Sequence, residues 1–145
     1  MHIKKGFTLL ETSIVLLITS SVLIVGYVNI RTSRDNINEK VFLKRFDMNW
    51  KNMYRLTTYD GYKGSINFDE NTQEIIFLCQ RYRKKWVKHL KVPPSLYTRD
   101  KVFNIGRNGV TAPGKVIIYD ANQKKPKYDL TVQMGWGVYE IKRKN

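Results

Sequence analysis

The feature that most constrains the fold of this chain is an uncharged apolar run near its N-terminus. No charged residue occurs between Thr12 and Ile30, and most positions in that run are Ile, Leu or Val. About 20 predominantly apolar residues suffice to cross the hydrocarbon core of a bilayer. Lys4 and Lys5 precede the run, so the positive-inside rule keeps the N-terminus in the cytoplasm and places the rest of the chain outside. The sequence therefore predicts a single-pass cell-membrane helix over residues 7–30.

One residue does not fit a simple membrane anchor. Glu11 lies near the start of the apolar run, where a carboxylate normally needs a partner, and the run contains no cation. Three interpretations stay open. A cleaved secretory signal lacks the usual alanines, since the first alanine is Ala112. An uncleaved anchor would carry the glutamate by accident. A cut between Gly6 and Phe7 would create an amino group that can pair with Glu11 of a neighbouring subunit.

The segment KKGFTLLE resembles the processing site of type IV pilins and type II secretion pseudopilins. Its basic leader ends in Gly6, an apolar Phe7 follows, and Glu11 is the fifth residue beyond the leader. The resemblance implies that residues 1–6 are a leader, that a prepilin peptidase cuts after Gly6, and that the Phe7 amine is methylated. It also implies that Thr8 and Glu11 take part in filament assembly. The implied partners are other major and minor pseudopilins, membrane lipid and, indirectly, an assembly ATPase with its platform protein.

An amphipathic helix is predicted to continue the apolar run. Apolar positions recur at intervals typical of one helical face, and neither Pro nor Gly occurs between Gly26 and Gly61. We expect one helix from about Phe7 to about Thr58, broken or frayed near RTSRDN, with residues 31–60 as its amphipathic part. The segment YDGYKGS ends it. The predicted core stripe consists of Ile37, Val41, Phe42, Phe46, Trp50 and Met53.

Beyond residue 60 the pattern changes to the period of two that is typical of strands. Apolar and polar residues alternate in SINF, EIIFLCQRY, KVFNI, GKVIIYD and YDLTVQMGWGVYEIKR, and RNG predicts a tight turn. Pro93 and Pro94 exclude KVPPSLYTRD from a central strand. We expect residues 61–145 to form an antiparallel meander of four to six strands. The fold class is then α+β and pilin-like, and the packing of the long helix on the meander is what the resemblance implies.

The C-terminal part resembles the minor pseudopilins of Gram-positive competence systems. The match is carried by FNIGRNGVTAPGKVIIYD and by VQMGWGVYEIKR, with Gly135, Trp136 and Gly137. It implies a cell-surface filament subunit that aids transport of DNA across the cell wall during transformation. Two other functions stay open. One is a minor pseudopilin of a type II secretion or adhesion system, and the other is a membrane-anchored DNA-binding protein that does not polymerise.

The chain is strongly basic, with 26 Lys and Arg against 12 Asp and Glu and a formal net charge of +14. Such a charge raises affinity for nucleic acid, anionic lipid or an acidic wall polymer. Basic residues interleaved with aromatic ones in RYRKKWVKHLK suit phosphate contact and base stacking. The alternative is a solvated basic face. The candidate DNA contacts are Arg81, Arg83, Lys84, Lys85, Trp86, Lys88 and Lys91.

The sequence offers no catalytic or metal-binding motif. His2 and His89 are isolated from each other and from other ligands, so they do not make a zinc site. Nucleophile motifs and phosphate-binding glycine loops are absent from the sequence. Cys79, the single cysteine, lies in the alternating segment IIFLCQ and is predicted to be a buried core thiol. We therefore expect no enzymatic activity, no cofactor and no metal.

Overall fold

The computed structural model describes residues 8–135 and 137–144, apart from the side chains of residues 28–31. Over this range the chain forms one helix followed by eight strands. It divides into two compact units, of which one ends at Ile37 and the other begins at Asn38. The elements are α1 (Leu9–Thr58), β1 (Lys63–Asp69), β2 (Glu74–Arg81), β3 (Lys84–Lys91), β4 (Leu96–Thr98), β5 (Lys101–Ile105), β6 (Gly114–Asp120), β7 (Pro126–Val132) and β8 (Tyr139–Arg143).

The first unit contains an apolar helix with no buried side chain in its most hydrophobic window. That window of 18 residues has a mean hydropathy of 2.1 and is 0% buried. Leu16, Leu17 and Ile18 are all largely exposed, although successive residues point about 100° apart around the helix. A helix that is apolar all round fits a lipid environment. The described chain therefore has one N-terminal helix that is long and apolar enough to cross a membrane.

Helix α1 is continuous through RTSRDN, so the predicted break there is wrong. Its polar residues carry only small helix-propensity penalties, and neither Gly nor Pro interrupts the segment. The helix ends where predicted. Gly61 has a φ of 64°, and the N–H of Tyr62 donates to the carbonyl of Leu56 at 3.1 Å. Glycine adopts this left-handed conformation easily, which explains the sharp end.

In the second unit, α1 contributes a buried stripe that confirms most of the predicted one. The buried members are Phe42, Phe46, Trp50 and Met53. Val41, by contrast, is 44% exposed, and Ile37 of the first unit is 60% exposed. Their assignment to the core is wrong. Adjacent helical residues point about 100° apart, so Val41 cannot share the face of Phe42.

The strands form two four-stranded antiparallel sheets instead of one meander of four to six strands. The first sheet has the order β3-β2-β1-β5 and the second β4-β6-β7-β8. The sequence pattern underestimates the number of strands for two reasons. The charges of KKWVKHLK hide β3. β4, which follows Pro93 and Pro94, is a three-residue strand at a sheet edge. Antiparallel strands and the α+β fold class are confirmed.

The part of α1 that belongs to the second unit, residues 38–58, packs on both sheets and joins them in one core. The ring centroid of Phe46 lies 5.4 Å from that of Phe77 on β2 and 5.5 Å from that of Tyr139 on β8. The indole N–H of Trp50 donates to the carbonyl of Gly137 at 2.6 Å. Trp50 also lies 4.7 Å from Tyr139 between ring centroids. These aromatic contacts fix the helix over the inner faces of the two sheets.

Candidate functional site

The start of α1 is capped by a residue of the predicted assembly motif. Gly6 and Phe7, the predicted processing site, lie outside the described residues. The hydroxyl oxygen of Thr8 accepts a hydrogen bond from the N–H of Glu11 at 3.3 Å, and its carbonyl accepts one from Thr12 at 3.2 Å. Thr8 is therefore the N-cap and Glu11 the third helical residue, which is the residue pattern of a capping box.

This cap gives Glu11 a local role that the sequence interpretation missed. A carboxylate in the first turn interacts favourably with the positive end of the helix dipole, by about 0.3–1 kcal/mol. The signal for it is a Thr followed three residues later by a Glu. Among the described residues, however, Glu11 has no ion-pair partner. Its carboxylate therefore remains available to a cation from outside the described chain.

The serine and threonine hydroxyl groups between residues 9 and 25 are satisfied inside the helix. Thr12 and Ser13 donate to the carbonyl of Leu9 at 2.9 and 2.8 Å. Such a bond lets a hydroxyl enter an apolar phase without an unpaired donor. Between residues 9 and 25, the described chain provides a hydrogen-bond partner for every polar side chain except that of Glu11. Bonds of the same type, 2.8–3.1 Å long, are made by Thr19, Ser20 and Ser21.

The basic segment predicted to contact DNA forms the end of β2, a two-residue turn and β3. Successive side chains of a strand point to opposite faces, so this segment divides its cations between two surfaces. The face that carries the buried Phe77 and Cys79 holds Lys84, Trp86 and Lys88, and the opposite face holds Lys85 and Lys91. Arg81 ends β2 opposite Lys84, and Arg83 lies in the turn itself. The structure therefore does not bring the seven predicted residues together.

Trp86 and the lysines of β3 have structural roles that need no DNA. Trp86 lies opposite Cys79 and packs against the hydrophobic core, so it is not a free stacking platform. β3 is an edge strand of the first sheet. Lysines on edge strands discourage pairing with other chains, and this accounts for Lys85, Lys88 and Lys91.

The turn between β2 and β3 brings the other predicted cations together. Arg81, Arg83 and Lys84 line a cleft of about 880 Å³. None of the three forms an ion pair within the part of the chain that the structure describes. Tyr82, which is not among the predicted contacts, is 83% exposed at the tip of this turn. Its sequence signal is an aromatic residue between two arginines.

The remaining candidates for chemistry are structural or undescribed. Over residues 8–135 and 137–144, no three His, Cys, Asp or Glu side chains are grouped to hold a metal ion. Cys79 is buried as predicted, and burial raises the pKa of its thiol to about 12, so it stays protonated at neutral pH. Trp136 lies outside the described residues, while its neighbours Gly135 and Gly137 have φ values of 78° and 59°.

Comparison with known proteins adds no relative to this description. The chain matches no family model, no curated protein and no solved structure.

Proposed function

We propose that this protein is a minor pseudopilin, a membrane-anchored subunit that joins a pilus-like filament through its N-terminal helix. The observation that carries the proposal is Glu11. It is an acidic side chain without a partner among the described residues, and the serine and threonine hydroxyl groups near it, between residues 9 and 25, all bond to the helix itself. Processing after Gly6 would expose the Phe7 amine, and this amine on a neighbouring subunit supplies the missing cation. Burial of the two charges together costs far less than burial of either alone.

We place the filament in a competence system that takes up DNA. The C-terminal resemblance and the net charge of +14 support this assignment. In this proposal the protein catalyses nothing, and its second unit faces the outside and contacts other pseudopilins. A secretion or adhesion filament, or a DNA receptor that does not polymerise, are the alternatives. Genes adjacent to this one distinguish competence from secretion, and processing distinguishes a filament subunit from a plain receptor.

The test is mass analysis of the N-terminus of the full chain from membranes with an active prepilin peptidase. We expect a chain that begins at methylated Phe7 and a Gly6→Val variant that keeps its leader. Gly26→Val is the matched control, because a side chain at Gly26 meets no atom within 4 Å. Its processing should equal that of the wild type. A wild-type chain that still begins at Met1 or His2 would contradict the proposal.

A further inference from the structure

The turn between β2 and β3 holds a tyrosine in a conformation that does not suit it. Arg81 pairs with Lys84 across the hairpin, which leaves Tyr82 and Arg83 as a two-residue loop. Tyr82 has a φ of 50°, in the left-handed region that residues with a side chain seldom adopt. When only the first position of such a loop has a positive φ, glycine normally occupies it. The chain places a large aromatic side chain where glycine would be less strained.

This conformation projects the Tyr82 ring into solvent beside a fixed cation. The guanidinium of Arg81 lies 5.9 Å from the ring centroid, and it donates a hydrogen bond to the main-chain oxygen of Asp60. An exposed ring at a strained position adds little to stability. Strain that the fold does not need is typical of functional sites.

Among the described residues, the positive charge around Tyr82 is only partly compensated. Arg81, Arg83 and Lys84 face a single lining carboxylate, that of Asp60. The second sheet shows the opposite arrangement. There Lys115 and Lys144 lie 2.7 and 3.5 Å from Asp129, and Lys142 lies 3.2 Å from Glu140. Uncompensated cations next to an exposed ring match a ligand that carries both negative charge and flat rings.

We propose that the cleft at the β2–β3 turn binds single-stranded nucleic acid, with a base stacked on Tyr82 and phosphates at Arg83 and Lys84. Base stacking on an aromatic side chain contributes about 5- to 150-fold in affinity and tolerates any base. The inference names the substrate of the DNA-handling part of the proposed function and rests on that part. It does not require filament assembly.

The ring distinguishes this ligand from other polyanions. A duplex stacks its bases on one another, so it offers phosphates to the cleft but no free base face. A wall polymer of phosphate and sugar alcohol offers charge without an aromatic ring. Contacts to phosphate alone would serve all three ligands and would weaken with salt, whereas stacking on Tyr82 serves only the unpaired strand.

The experiment uses the full chain in nanodiscs of zwitterionic lipid with three probes. They are a fluorescent oligothymidine, a duplex of the same length and inorganic polyphosphate as a competitor. We expect Tyr82→Gly to weaken oligothymidine binding about tenfold and to leave duplex binding and polyphosphate competition unchanged. Because glycine suits the turn, the thermal midpoint of this variant should not fall below that of the wild type.

Two further variants separate stacking from strain and charge. Lys124→Gly relieves the same kind of strain in the β6–β7 turn, where Lys124 has a φ of 53°, and should leave oligothymidine binding within about twofold. Arg83→Gln should weaken all three probes alike. A Tyr82→Gly variant that binds oligothymidine like the wild type, or loses affinity for every probe equally, would overturn the inference. A wild-type chain that does not bind oligothymidine would overturn it as well. None of these results would alter the N-terminal mass that tests the filament proposal.

Discussion

Each of the two units has a glutamate of α1 among apolar residues, where a carboxylate needs a partner. The two units differ in whether the described chain supplies that partner. Glu39, in the second unit, is 2% exposed. The Ser95 hydroxyl and the Lys127 ammonium donate to its Oε1 at 2.8 Å each, and the Tyr128 hydroxyl donates to its Oε2 at 2.9 Å. Glu11, in the first unit, is exposed and has no such partner among the described residues.

The two carboxylates differ in where their counter-charge lies. A buried charge is tolerated when a counter-charge and hydrogen bonds satisfy it. The sheets of the second unit deliver these partners to Glu39 from the same chain. The described part of the first unit is a bare helix, so a cation for Glu11 must come from outside the described residues. This contrast supports the proposed assembly through the first unit, since the second unit satisfies its buried carboxylate from within.

Removal of the Glu39 carboxylate should have the largest effect on stability. Glu39→Ala removes a partner from the partly buried Lys127 ammonium and from the buried Tyr128 hydroxyl, and we expect a loss of about 3–5 kcal/mol in the free energy of unfolding. Lys127 keeps Asp120 at 3.1 Å, which favours the lower end of that range. The measurement is urea unfolding of the full chain in detergent.

The matched control is Glu11→Ala, the same change in the other unit. Because no described side chain bonds to the Glu11 carboxylate, the free energy of unfolding of the second unit should stay within about 0.5 kcal/mol of the wild type. Equal losses for the two variants, or a Glu39→Ala loss below about 1 kcal/mol, would remove the distinction between the two carboxylates.

Acid should weaken the second unit through its carboxylates. Burial raises the pKa of Asp120, but the N–H groups of Gln123 and Asn122 and the Lys127 ammonium outweigh burial and lower it. Hydrogen bonds from Lys51 and Tyr139 lower the pKa of Asp47. A carboxyl with a lowered pKa contributes stability above its unfolded value of 3.8, and the contribution is lost as pH falls through the folded pKa.

Alkaline pH should destabilise the second unit through Lys127 and Tyr128, which contact Glu39. Desolvation lowers the pKa of Lys127, but Glu39 and Asp120 outweigh desolvation and raise it above 10.5. Burial and Glu39 raise the pKa of Tyr128 above 10.0. The stability from both groups is complete below the unfolded values and is lost as pH rises through the folded ones.

We therefore expect a thermal midpoint that is flat from about pH 5 to pH 9 and falls on either side. Asp120→Asn should make the fall in acid smaller, because it removes one of the responsible carboxyls. Between about pH 5 and pH 9 the thermal midpoint should change least of all. A midpoint that changes steadily through neutral pH would contradict the assignment of stability to these groups.

The local parts of this fold could be predicted from sequence, and the long-range parts could not. The apolar run, the stripe from Phe42 to Met53 and the turn at Gly61 follow from periodicity and glycine alone. The partners of Glu39 lie 56 to 89 residues away in the chain, and no local pattern connects them. The division into two sheets also depends on distant pairing, such as β1 with β5.

The candidate site divides in the same way. The spacing of Gly6, Phe7 and Glu11 can be recognised from the sequence because the motif is contiguous, and its role in processing stays a prediction. The basic segment can be recognised from its positive charge. The division of its side chains between two sheet faces depends on the register of β3 against β2. The strain at Tyr82 is a backbone property of a two-residue loop, and the sequence signal for a loop of this kind is glycine at its first position, not an aromatic residue between arginines.

The most direct test of the account compares wild-type protein and Glu11→Gln in filaments sheared from cells. The variant keeps the shape of the side chain and loses its charge. We expect it to insert, to be processed at Phe7 and to unfold like the wild type, yet to be absent from the sheared filaments. Incorporation of Glu11→Gln at the wild-type level would show that the carboxylate needs no partner subunit and would contradict the account.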